Sequence, residues 1–202
     1  EKNVLDISCG TGYGSRILYD RGARRVIGVD ISNEAINFAS IKYNTKDLEF
    51  KVGNVQNIDF PANYFDVVTC FETIEHVDSQ EKAFMELQRV LKPGGLLIVS
   101  SPNRTITSPY KSINDPPDNP FHTKEYATGE FISALENYFR ILDIYGQRSI
   151  YKLFSLPFLE RIMKRILPRI YSPEKGNPEL EKISHIKEYR YIVVVCRKSK
   201  SD

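Results

Sequence analysis

The sequence predicts an α/β domain built on a mostly parallel sheet, doubly wound, with helices on both faces. Three observations predict it. Strand-like and helix-like segments alternate through the first hundred residues. A glycine-rich stretch, "SCGTGYGS" (8–15), follows the first apolar run. An aspartate, Asp30, ends the second apolar run, 20 residues after Gly10.

The elements follow in order. "NVLDI" (3–7) reads as a short buried strand, and residues 12–21 as a helix. "RVIGVD" (25–30) is a second strand. "SNEAINFASIKY" (32–43) is a helix with Ser32 as its N-cap. "LEFKVG" (48–53) and "YFDVVTCF" (64–71) are the third and fourth strands. In "DSQEKAFMELQRVL" (78–91), Ala83, Phe84, Leu87, Val90 and Leu91 form one apolar helical stripe. "GLLIVSS" (95–101) is a fifth strand after the turn "KPGG". Residues 102–123 hold five of the eleven prolines and read as a long irregular loop, a type often functional. "TGEFISALENYF" (128–139) returns to helix, "RILDIYGQ" (140–147) to strand, and "YRYIVVVCRK" (189–198) is the last strand. Residues 149–186 read as an insertion around the amphipathic, basic "LPFLERIMKRILPRI" (156–170).

With 202 residues the chain is long enough for one ordinary domain with a sizeable core. A formal net charge of +2 demands neither a nucleic-acid nor a membrane partner. No apolar run approaches a membrane span, and no secretory signal opens the chain. It starts at Glu1 rather than Met, so a preceding segment is expected. The odd set Cys9, Cys70 and Cys196, without metal spacing, points to free thiols in a reducing, cytoplasmic compartment.

Glycines between a strand and a helix let the backbone approach a ligand, and the helix N-terminus offers free N–H groups. An acid ending the next strand suits two ribose hydroxyls. A dinucleotide fingerprint would carry glycine where Ser15 stands. Asp6, at the loop entrance, would repel a pyrophosphate and suit a cationic, amino-acid-bearing ligand.

"VLDISCGTGYGS" resembles the first motif of class I S-adenosylmethionine-dependent methyltransferases, and "VIGVDIS" the second. "GNVQNIDFPANYFDVVTCFETIEHV" and "LKPGGLLIVSSPN" resemble the third and fourth regions, so the likeness covers residues 3–102 in order. The resemblance implies a Rossmann-like seven-stranded sheet, order 3-2-1-4-5-7-6 with strand 7 antiparallel. It implies a single methyltransferase domain over 1–202. Carried over, Asp6, Ser8, Gly10 and Gly12 would line the methionine and ribose part of S-adenosylmethionine. Asp30 would hold the ribose hydroxyls, Ile31 would pack on adenine, Asn54 and Val55 would meet the adenine edge, and Phe71 would lie beneath the methionine. Ser8 stands where a glycine is frequent, and Asn54 where an aspartate is frequent.

The acceptor side starts at "FETIEHV" (71–77), beyond the fourth strand. Glu72, Glu75 and His76 at i, i+3 and i+4 would share a helical face. Such a face fits a divalent ion, a general base, or simply a solvated surface. A similar set occurs in ubiquinone-pathway O-methyltransferases and in small-RNA 3′-end 2′-O-methyltransferases. By the second resemblance His122 would be a fourth ligand, so His76 and His122 are the catalytic candidates, and magnesium, manganese, iron and zinc the candidate metals. "SPN…NPFHTKEY" is also similar to methyltransferases of cell-surface sugar pathways, which points to a small-molecule or sugar hydroxyl. The rivals are an RNA 3′-end 2′-O-methyltransferase, against which the near-neutral charge stands, and a non-catalytic cofactor-binding protein. The 149–186 insertion is expected as a lid or packing element, with a membrane-surface element as the alternative, and with Arg161, Lys164, Arg165 and Arg169 on a polar face.

Overall fold

The computed structural model describes residues 2–151, 179–185 and 187–200. The strands are β1 (Asn3–Ile7), β2 (Arg25–Asp30), β3 (Leu48–Val52), β4 (Phe65–Cys70), β5 (Leu91–Pro102), β6 (Arg140–Tyr151), β7 (Glu181–Lys182) and β8 (Lys187–Arg197). The helices are α1 (Tyr13–Asp20), α2 (Asn33–Tyr43), α3 (Gln80–Val90), α4 (Arg104–Thr107) and α5 (Thr128–Glu136), with one 3₁₀ turn at Ile74–His76.

The sheet order is β3-β2-β1-β4-β5-β8-β6-β7. β3, β2, β1, β4 and β5 are parallel, and β8 runs antiparallel between β5 and β6. This is the expected order, extended at the edge by the two-residue β7 that "EK" gave no reason to expect. The 156–170 segment, expected to be amphipathic, lies outside the described residues, as does most of the insertion. β5 runs through the "KPGG" turn instead of starting after it, because Leu91 pairs with Phe65 ahead of a register shift. Within the loop 102–123, α4 forms because the Asn103 side chain accepts from the Thr105 amide, a local N-cap.

Strand alternation sends residues to two cores. Val4, Val26, Leu48 and Phe50 meet Ile36 and Ala39 of α2. Leu5, Ile7, Val68, Leu97, Val99 and Val194 meet Phe84 and Leu87 of α3 and Phe131 and Leu135 of α5. α2, α3 and α5 each start where a side chain satisfies an otherwise unpaired amide, whereas α1 starts at Gly12 with no side-chain cap. Ser32 accepts from Ala35 at 3.1 Å, Ser79 from Lys82 at 3.3 Å, and Glu130 from Ala127 at 2.7 Å. β1 has β2 on one side and β4 on the other, so the chain reverses its direction of winding there. The carboxyl ends of β1–β5 open at that reversal, the usual place for a ligand in such sheets.

Candidate functional site

The glycine loop is set by two contacts. The Gly10 amide donates to Asp30 Oδ2 at 2.8 Å, which ties the loop to the end of β2. Asp30 Oδ1 accepts from the Ser32 amide at 2.9 Å, so each oxygen keeps lone-pair capacity toward solvent. Ser8, Gly10 and Gly12 all have positive φ, 58°, 53° and 81°. At Gly12 a Cβ would meet the Phe50 ring at 2.7 Å and Ala39 at 2.8 Å; at Gly10 it would meet nothing within 4 Å. Gly12 is therefore glycine for packing, while Gly10 faces open space. Ser8 bears the left-handed backbone with a side chain.

Asp6 lies beneath the loop rather than in a cavity wall. It is 5% exposed, and its oxygens accept from the Ser15 hydroxyl at 2.6 Å and the Thr69 hydroxyl at 2.7 Å. Burial pushes its carboxyl above the usual range, against those two hydrogen bonds. Ser15, the residue that breaks a dinucleotide fingerprint, is fully buried. Gly28 makes room for it: a Cβ there would come within 2.9 Å of the Ser15 hydroxyl. Burial, then the charges of Asp6 and Asp30, push the Cys9 thiol up to about 12, so it offers no thiolate at neutral pH.

A cavity of about 360 Å³ opens at the strand ends. Ser8, Asp30, Ile31, Asn54 and Val55 form one wall, and Glu72 and His76 are in the other. Ile31 is 71% exposed at its mouth. Asn54 Oδ1 accepts from the Gln56 amide at 2.8 Å, an Asx turn that fixes its orientation. Phe71 lies outside this wall, in a neighbouring cavity of about 420 Å³ that shares Glu72.

The acceptor-side residues are arranged differently from the helical face that the spacing suggested. Only Ile74–His76 is helical, and Glu72 precedes it with φ 47°, so 72, 75 and 76 do not share a face. Glu72 turns to β5 instead: Ser100 donates to its Oε1 at 2.6 Å and accepts from its amide at 3.0 Å. Glu75, His76 and His122 do come together, with one ligand atom from each lying within 4.8 Å of the others. The loop brings His122 in. The Thr123 amide donates to the Glu75 carbonyl at 2.7 Å, and its hydroxyl to the Val77 carbonyl at 2.7 Å. The His76 and His122 rings then meet edge to face, centroids 4.7 Å apart.

Glu75 is 1% exposed, and its Oε2 has no hydrogen-bond partner among the described residues. Burial first, and then the Glu72 charge, push its carboxyl up to about 8. His76 Nδ1 lies 2.9 Å from the Phe121 carbonyl, which can only accept, so Nδ1 carries a proton and the neutral ring has Nε2 as its acceptor, 3.9 Å from Glu75 Oε1. His122 Nδ1 lies 2.5 Å from Glu125, and its Nε2 lies 2.8 Å from the Asn119 amide nitrogen. Glu125 and Asn119 escaped the sequence reading; "NPFHTKE" holds them three residues on either side of His122, but only the fold of the loop turns them onto one ring.

Comparison with known proteins places this geometry. Residues 5–99 match the methyltransferase-domain family. The chain is 39% identical over 135 residues to a probable S-adenosylmethionine-dependent methyltransferase of Mycolicibacterium smegmatis, covering 67% of this chain and 50% of that one. It is 34% identical over 122 residues to a ubiquinone/menaquinone biosynthesis C-methyltransferase of Vibrio campbellii (56% of this chain, 46% of that one), and 33% over 110 residues to a ubiquinone biosynthesis O-methyltransferase of Idiomarina loihiensis (53% and 45%). The chain spans about half the length of these relatives. The fold matches that of an S-adenosylmethionine-dependent methyltransferase from Mesorhizobium loti with a TM-score of 0.70, at 16% identity, over 98% of this chain and 91% of that one. With the glycine loop held to Asp30, the open cavity at the strand ends and these likenesses together, the chain belongs to the class I S-adenosylmethionine-dependent methyltransferases.

Proposed function

We propose that this protein transfers the S-adenosylmethionine methyl group to a hydroxyl of a small molecule, with His76 as the proton acceptor. One observation carries the reading: His76 is in the wall of the same cavity as Asp30, Ile31, Asn54 and Val55. When bound, S-adenosylmethionine supplies an electrophilic methyl on a sulfonium centre. Asp30 has lone pairs left for ribose hydroxyls, Ile31 offers an apolar surface to a base, and the open side of Gly10 admits close approach. Asp6 acts from below, holding the loop through Ser15 and Thr69. His76 holds its own proton on Nδ1 at the Phe121 carbonyl and keeps Nε2 able to take one from an acceptor hydroxyl. Glu72, in the cavity lining, disfavours an anionic acceptor, which argues for a neutral small molecule or sugar over an RNA end. The relatives include both a C- and an O-methyltransferase by name; the imidazole base favours oxygen. The free thiols of Cys70 and Cys196 support work in the cytoplasm. We read residues 1–202 as one domain.

The orphaned Glu75 Oε2 favours a second reading, a cation held by Glu75, His76 and His122. One carboxylate with two imidazoles fits manganese, iron or zinc; magnesium would want more oxygens. Glu72 stands apart from this set, and His122 would have to release Asn119 if it ligated through Nε2. Incubation of the protein with labelled S-adenosylmethionine and a panel of neutral phenols and sugars tests both readings. Transfer that survives chelator supports His76 as a bare base, and transfer that needs added metal supports the cation. Binding of S-adenosylhomocysteine with no transfer to any acceptor would support the non-catalytic alternative.

A further inference from the structure

We propose that Glu125 is a positioning residue of this site: it fixes His122, the ring that meets Glu75 and His76, with its proton on Nδ1 and its Nε2 as an acceptor. The inference rests on reading this cluster as the acceptor end of the cavity.

Glu125 is 1% exposed, and its carboxylate is surrounded by donors. Its Oε2 accepts from the Thr107 hydroxyl at 2.6 Å and the Ser108 hydroxyl at 2.7 Å. Ser108 accepts from the Asp118 amide at 2.9 Å, so its own proton is directed to Glu125. The remaining oxygen, Oε1, meets His122 Nδ1. This contact is the imidazole's Nδ1–H donating to the carboxyl oxygen when Nε2 is the ring's acceptor.

The other side of the ring agrees. Asn119 Oδ1 accepts from the Phe121 amide at 3.1 Å, which orients the side chain with its NH₂ toward His122 Nε2. An amide donor there requires a bare Nε2. The Phe121 carbonyl fixes His76 in the same sense. Thus one loop, Asn119 to Glu125, sets both imidazoles with Nδ1 protonated and Nε2 unprotonated, that of His122 being held by Asn119. A protonated Nε2 could neither take a proton nor bind a cation, so the setting serves either reading of the site. Asn119 then holds the His122 lone pair until a ligand replaces it.

The chain has only three histidines, His76, His122 and His185, so long-range ¹H–¹⁵N correlation spectra of the full chain resolve each ring. His122→Gln and His185→Gln variants assign them. We expect wild-type His122 as a single Nδ1–H tautomer, and Glu125→Gln to lose that single signature in favour of a mixture. Asn119→Ala should leave the tautomer unchanged, since Glu125 sets it. A wild-type His122 protonated on Nε2 overturns the proposal, and so does a folded Glu125→Gln protein with an unchanged His122 spectrum. If Glu125→Gln does not fold, the wild-type and Asn119→Ala spectra decide: a tautomer that changes on loss of Asn119 makes Asn119 the determinant instead. Calorimetry with S-adenosylhomocysteine, run alongside, keeps the two claims apart. Absence of binding would remove the methyltransferase reading and leave the tautomer result standing.

Discussion

The Gly10 amide donates to Asp30 Oδ2 at 2.8 Å, joining two residues 20 apart in sequence. One carboxylate thus shapes the glycine loop and faces the cavity that the loop borders.

Asp30→Ala removes both roles. We expect S-adenosylhomocysteine affinity to fall by about 1–3 kcal/mol, the size of lost charge-assisted hydrogen bonds. Calorimetry measures it directly. Unchanged affinity would take Asp30 out of the site, and preferential binding of NAD would remove the cofactor assignment.

Two glycines of the same loop should respond unequally to alanine. Gly10→Ala pays only for a left-handed backbone, about 1–2 kcal/mol. Gly12→Ala adds a clash with Phe50 and Ala39, for roughly 2–4 kcal/mol in all. Urea unfolding of the two variants compares them; equal losses would refute the packing role of Gly12.

Glu75 should make stability pH-dependent. Its folded carboxyl binds a proton up to about pH 8, whereas the ordinary value is 4.5. The native state therefore holds more protons between these values. Its stabilising contribution is complete below pH 4.5 and is lost as pH rises through about 8. Glu75→Gln abolishes that loss, so its stability relative to wild type should improve by roughly 3–4 kcal/mol from pH 5 to pH 8. Denaturant curves at the two pH values read the gap, and a constant gap would contradict the buried, unpaired state of Glu75.

His76→Gln separates chemistry from binding. Removing a general base lowers turnover by about 10²–10⁴-fold, while S-adenosylhomocysteine should bind as before. A variant that retains turnover would exclude His76 as the proton acceptor.

Much of this protein was legible in the sequence because its signals are local. Apolar runs of five or six residues separated by capped helices gave the strand and helix order, since each element depends on near neighbours for its period and its ends. The spacing of Gly10, Gly12 and Asp30 pointed to a loop tied to the end of β2 for the same reason: a loop and the end of the adjacent strand are joined by one short crossover. Asp6 shows the limit. Its position was legible, but not that Ser15 and Thr69, the latter 63 residues away, would consume both oxygens from beneath the loop.

The acceptor side was decided by tertiary structure. Spacing put Glu72, Glu75 and His76 on one helical face, but the turn there is only three residues long, and Ser100 of β5 draws Glu72 away. His122 reaches Glu75 because Thr123 docks on the backbone carbonyls of Glu75 and Val77, contacts across more than 45 residues that carry no periodic signal. What the sequence alone determined was the order of elements and the glycine loop after β1, through local propensity and short-range geometry. What only the tertiary structure decided was which titratable groups share a site, because burial and the meeting of distant loops set their partners, their protons and their charge.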